Sequence, residues 1–159
     1  MSGGTWIAQL EKEHVELVLH RFDRRDAWEL GRTIVERALS QGHPVVVDVR
    51  TSSGMLFHAS LPGATSDNDV WAAKKAATAL RFETSTALLE ARIENGGRDM
   101  YEPGWLDPAV YAVAGGAVPI RVDGVGVIAV ATVSGLPSVD DHDLVVEGIR
   151  SLQRQETSQ

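Results

Sequence analysis

Hydrophobic and polar positions fall into blocks whose spacing alternates between the period of a helix and the period of a strand. In "TWIAQLEKE" (5–13), Trp6, Ile7 and Leu10 share one helical face and Thr5 stands where a cap belongs, which predicts a short first helix. "HVELVLHRF" (14–22) alternates Val15, Leu17 and Leu19 with polar partners and predicts a strand or extended segment. The helical period then returns. Asp23 is its cap, Ala27, Leu30, Ile34 and Ala38 form the buried stripe, and Gly42 and Pro44 end it.

"PVVVDVRT" (44–51) and "MLFHASL" (55–61) predict two strands, and the Ser-Ser-Gly between them is hairpin chemistry. Ser66 with Asp69 three residues on forms a capping box for a long helix, "DNDVWAAKKAATALRF" (67–82). That helix either continues or kinks through "ETSTALLEARIEN" and stops at Gly96–Gly97. Residues 98–114 contain Pro103, Gly104 and Pro108 and read as a packed loop with one helical turn near Asp107. "AVPIRV" (117–122) and "VGVIAVATV" (125–133) are strands joined by a Asp-Gly turn. Ser138 with Asp141 caps a last helix, "SVDDHDLVVEGIRSL", after which 153–159 is polar and expected to fray. The expected fold is α+β: one domain over 1–159, core about 5–152, with helices packed on an antiparallel sheet of about five strands.

Composition narrows the chemistry. The chain has 159 residues and a net charge of −7 from 15 basic and 22 acidic side chains. Such a surface argues against general nucleic-acid and anionic-membrane binding. There is no cysteine, which removes disulfides, thiolate catalysis and Cys-ligated metals. No apolar run is long enough to span a bilayer, and the N-terminus lacks a secretory pattern, so a cytoplasmic protein is expected.

Gly124, Gly126 and Ala129 match the G-x-G-x-x-A spacing of a dinucleotide loop, but a β-branched strand follows where that loop needs a helix N-terminus. A hairpin turn is expected instead. "DDHD" (140–143) supplies hard-metal ligand types, yet consecutive helical residues do not face one point, and acids suit a helix's first turn. His142 stays a candidate for a pocket or interface. Ser134 lacks a nucleophile frame. One of Lys74 and Lys75 is expected in solvent, while a lysine beside Trp71 can hold a carboxylate. His58, inside a strand, reads as a partly buried histidine or as a side chain that enters a pocket.

"RFDRRDAWELG", "PVVVDVRTSSGMLFHASLPGATSDNDVW" and "GGAVPIRVDGVGVIAVATVSGLPSVDDHDLVVEGI" together resemble the UPF0303 family, within the wider HbpS/GlcG-like group of haem-binding or haem-degrading domains. The resemblance covers nearly the whole chain. It implies a profilin-like layer that assembles into homo-oligomers and a haem- or small-ligand-binding role that can extend to haem degradation. The proposed site is Gly115, Gly116, Trp71, Lys74, His58 and His142, with the two glycines giving a planar ligand access to backbone. Relatives often carry a histidine where Ala114 stands, and Ser-Ser-Tyr where this chain reads Ser85-Thr86-Ala87. The alternative is a non-catalytic oligomeric adaptor. Apolar side chains outside the main pattern (Trp6, Ile7, Leu10, Val15, Leu17 and Leu19, then Trp105, Leu106 and Tyr111) point to an interface.

Overall fold

The computed structural model describes residues 3–96 and 98–158. Along the chain lie α1 (Gly3–Glu16), β1 (Val18–Leu19), α2 (Arg24–Ser40), β2 (Val46–Arg50), β3 (Met55–Ser60), α3 (Ser66–Phe82) and α4 (Thr86–Glu94). After a loop come β4 (Ala117–Val122), β5 (Gly126–Ser134) and α5 (Ser138–Thr157). The strands form one sheet in the order β1-β4-β5-β2-β3. Neighbours pair antiparallel except β1, which runs parallel to β4, so the expected antiparallel sheet is mixed at one edge. The α+β class holds. Among the described residues no helix is long and apolar enough to cross a membrane.

Alternation along the strands sends side chains into two layers. On one face Val47, Val49, Val118, Ile120, Ala131 and Val133 meet the stripe Ala27, Leu30, Ile34 and Ala38 of α2, together with Leu144, Val145 and Ile149 of α5. The opposite face is thinner: Ala117 and Val130 pack against Ala76 and Ala79 of α3. Alanines let α3 lie close to the sheet. They also leave the polar residues of that face, Asp48 and Thr132, fully buried beneath it.

Several boundaries differ from the sequence expectation. The segment 14–22 is helical as far as Glu16, with strand only at Val18–Leu19. Leu17 and Leu19 enter the core as alternation requires, but Val15 is on the helix and 75% exposed. Thr5 therefore sits inside the first turn of α1. The capping box of α3 lies one residue earlier than expected, with the Thr65 N–H donating to Asn68 Oδ1 at 2.9 Å. That shift releases Asp69 for another partner. Between α3 and α4 the chain kinks at Glu83, the one described non-glycine residue at positive φ, and restarts with Ser85 accepting from the Leu88 N–H. Gly97 lies outside the described residues. Pro137, not Ser138, precedes α5, and that helix runs through the supposedly frayed tail to Thr157. Glycines 124 and 126 occupy the β4–β5 hairpin, as their missing helix predicted.

Candidate functional site

Asp48 sits mid-strand on β2, directly opposite His58 on β3. It is fully buried and accepts two hydrogen bonds from the Arg50 guanidinium, Nε at 2.6 Å and Nη2 at 2.9 Å. Its second oxygen is also 2.7 Å from His58 Nδ1, and the far ring nitrogen of His58 lies 2.9 Å from Asp69 on α3. The His58 ring is held at both nitrogens, each by a carboxylate. A chain of four side chains thus ties the sheet edge to the first turn of α3.

Beside it runs a groove of about 420 Å³ between α3 and the β2–β3 hairpin. Ala73, Ala77 and Leu80 of α3 provide an apolar wall, and Arg50, Ser52 and Met55 form the hairpin side, with Tyr111 also lining it. Arg81 places its guanidinium 5.2 Å from the Tyr111 ring centroid. Its size is that of a small-molecule site. A hollow between α2 and α5 is of lesser volume, about 260 Å³, and is crossed by the Arg37–Glu147 ion pair.

Two further charged pairs lie in the interior. Lys75, not Lys74, is the buried lysine: its Nζ donates to Asp141 at 3.0 Å and to the Val133 carbonyl at 3.3 Å. Asp141 also accepts from the Leu136 N–H at 2.9 Å and the Gly135 N–H at 3.3 Å. Burial raises the Asp141 carboxyl above its ordinary value even though the Lys75 charge opposes the shift. His142 is 1% exposed, with Nε2 2.8 Å from Glu13 of α1 and its ring edge-on to Trp6. Burial also pushes Glu13 up, but the hydrogen bond and charge of His142 outweigh it, so the carboxyl lies below its ordinary value. His142 Nδ1 has no hydrogen-bond partner among the described residues. The adjoining cavity, of about 20 Å³ between α1 and β4, has room for about one water.

The six residues singled out by sequence therefore occupy separate places. His58 belongs to the edge network. His142 belongs to the interior beneath α1. Trp71 and Lys74 share the outer side of α3, with the ammonium 5.8 Å from the indole centroid. A Cβ at Gly115 would lie 2.7 Å from the Ser138 carbonyl, and one at Gly116 (φ 137°) would strike the Val133 carbonyl and lie 2.9 Å from Lys75 Nζ. The missing side chains make room for the protein's own strand end and lysine. Asp48, Arg50, Asp69, Lys75 and Glu13 were not found by sequence. The one usable signal was an acid inside the β-branched run "VVVDVR", where a buried carboxylate demands a partner. Among the described residues no three His, Cys, Asp or Glu side chains are grouped to hold a metal ion.

Fold and site place the chain among small α+β domains with a ligand-sized groove. Residues 22–150 match the family model described as haem degrading protein HbpS-like. The chain is 43% identical over 143 residues to a UPF0303 protein of Streptomyces coelicolor, covering 90% of each. It therefore belongs to the UPF0303 family, with an HbpS-like domain. Among solved structures, Ybr137w is similar with a TM-score of 0.84 and 29% identity, over 95% of this chain and 89% of that one. The PduOC:haem complex is similar with a TM-score of 0.70 and 26% identity, over 82% and 94%.

Proposed function

We propose that this protein binds a small ligand in the groove between α3 and the β2–β3 hairpin. The observation that carries it is an apolar wall of ligand-binding size ending at a guanidinium already fixed by a buried carboxylate. Haem is the first ligand to test, because the family description and the PduOC complex name it. The histidines do not fit iron ligation as built. Both ring nitrogens of His58 are taken by carboxylates, and the cavity beside His142 has room for about one water.

Haem titration followed by absorbance tests this. Ala77→Trp, which fills the groove, abolishes a Soret change that His142→Ala leaves intact. The six-residue site of Gly115, Gly116, Trp71, Lys74, His58 and His142 is the competing assignment, and it predicts the reverse. A Soret band equal to that of free haem in every variant removes haem from both. If haem binds, adding a reductant and oxygen separates carriage from degradation. We propose the cytoplasm as the protein's compartment.

Self-association is the second reading, and a new observation favours it. Most of the apolar segments that sequence marked for an interface are covered by their own chain: Leu10, Leu17, Leu19 and Leu106 are buried, and Trp105 stacks edge-on with Phe82. The apolar surface lies elsewhere. Strand β3 is a sheet edge that begins at Met55, 58% exposed, and Trp28 of α2 packs on its Phe57. We propose a homo-oligomer formed at this edge. Light scattering that returns the 17.2 kDa single-chain mass across a dilution series refutes it.

A further inference from the structure

The α3–hairpin groove has a charge pattern at odds with the chain that carries it. The protein has a net charge of −7, yet among the described residues no carboxylate lines this groove. Arg50 does, with its side chain 20% exposed. Two of its donors are committed to Asp48, which leaves Nη1 without a partner among the described residues. The hydroxyls of Ser52 and Tyr111 are likewise free of hydrogen bonds within the described residues. Asp48 is shared between the Arg50 guanidinium and the His58 ring. Asp69 bonds His58 and makes no ion pair with the guanidinium, while the hydrogen bond and charge of Asp48, joined by the charge of Asp69, still act on Arg50 and raise it above its ordinary value. The polar end of the groove is therefore the Arg50 guanidinium, held by Asp48, and the wall leading to it is alanine and leucine.

We propose that the groove binds an amphipathic carboxylate, its acid group on Arg50 Nη1 and its apolar body along Ala73, Ala77 and Leu80. A preorganised guanidinium gains from this because a charge-assisted hydrogen bond is stronger than a neutral one, and its immobilisation by Asp48 has already been paid. The apolar wall selects against small inorganic anions, which have nothing to bury there. The polar end selects against neutral hydrocarbons, which leave Arg50 Nη1 facing an apolar group. This proposal rests on the groove being the ligand site.

Calorimetric titration of the full chain with octanoate and with 1-octanol separates the two ideas. Octanoate is expected to bind at least about ten-fold more tightly than octanol, a gap set by one charge-assisted hydrogen bond. Arg50→Gln removes that preference and leaves octanol unchanged. Because Arg50→Gln strips a partner from buried Asp48, Arg50→Lys provides the second variant: it keeps a cation on Asp48 but has no fork to offer a ligand, and it weakens octanoate alone. Equal binding of the two probes, both abolished by Ala77→Trp, overturns the carboxylate and leaves the groove as the ligand site. Binding of neither probe, with haem also unbound, overturns both. If neither probe binds and Met55→Glu converts an oligomer to single chains in light scattering, the groove's occupant is a second copy, and the carboxylate is again overturned.

Discussion

The sheet edge and the protein interior use the same parts, carboxylates set against cations, to different ends. Inside, Lys75 and Asp141 join the two helical layers at the end of the sheet, and Asp141 takes two backbone N–H groups besides the ammonium. Gly116, at positive φ, leaves room for them: a Cβ there would lie 2.9 Å from Lys75 Nζ and 3.1 Å from Asp141 Cβ. Among the described residues, neither Lys75 nor Asp141 lines the α3–hairpin groove or the α2–α5 hollow. At the edge, Asp48 organises Arg50 and His58 beside a groove of about 420 Å³, and the guanidinium Nη1 has no partner among the described residues. What separates architecture from binding here is neither residue type nor burial of the carboxylate, since Asp48 is as buried as Asp141. It is an unused donor next to unfilled space.

The interior pair gives the sharpest way to break that comparison. Asp141→Asn leaves Lys75 buried beside a neutral amide and is expected to cost about 3–5 kcal/mol, measured by urea unfolding. Ligand binding by the protein that remains folded should not change. A smaller effect is expected at α1. Glu13→Gln weakens the His142 hydrogen bond and costs about 1–3 kcal/mol by the same measurement. It also carries a pH signature. The Glu13 carboxyl lies below its ordinary value of 4.5 in the folded protein, so its stabilisation is present above that value and is lost as pH falls through the lower, folded one. The wild-type and Glu13→Gln midpoints should therefore converge on acidification below about pH 4.5. Parallel curves down to full acid unfolding would show that the pair contributes nothing.

Glu90 reverses the sign. Burial first, and the charge of Glu94 second, hold its carboxyl above the ordinary value, and its stabilising effect is lost as pH rises through the raised one. Glu90→Gln should raise the thermal midpoint at pH 8 relative to wild type and change it little at pH 4. The smallest stability effect belongs to the edge. His58→Asn removes a partly exposed bridge and is expected to cost about 1 kcal/mol, because Arg50 still satisfies Asp48. Its effect on ligand affinity should exceed its effect on unfolding, the opposite of what Asp141→Asn gives.

Local pattern made much of the fold legible. The stripe of α2, the β2–β3 hairpin and the β4–β5 turn were readable because apolar period and turn chemistry agreed there. The first helix was cut short because Val15, Leu17 and Leu19 mimic a strand, and only tertiary contact shows that Val15 faces solvent. Asp69 was assigned to a cap because spacing cannot tell Thr65–Asn68 from Ser66–Asp69. Its true partner, His58, is eleven residues away on another element. Lys74 was preferred over Lys75 for a similar reason: adjacent helical positions differ by about 100°, and the acceptor that distinguishes them is on α5. Motifs near Gly115 and His142 were legible as family pattern, yet their place in the molecule depends on long-range packing. The groove joins residues 50–55, 73–80 and 111, and no window of sequence contains it.

Mapping octanoate on the ¹⁵N-labelled protein by amide chemical shift tests the central claim most directly. The account predicts that the largest shifts fall on Arg50, Ser52, Ala73, Ala77 and Tyr111, with Gly115, Gly116 and His142 unmoved. Shifts centred on Gly115, Gly116 and His142, with the hairpin and α3 wall silent, would contradict it.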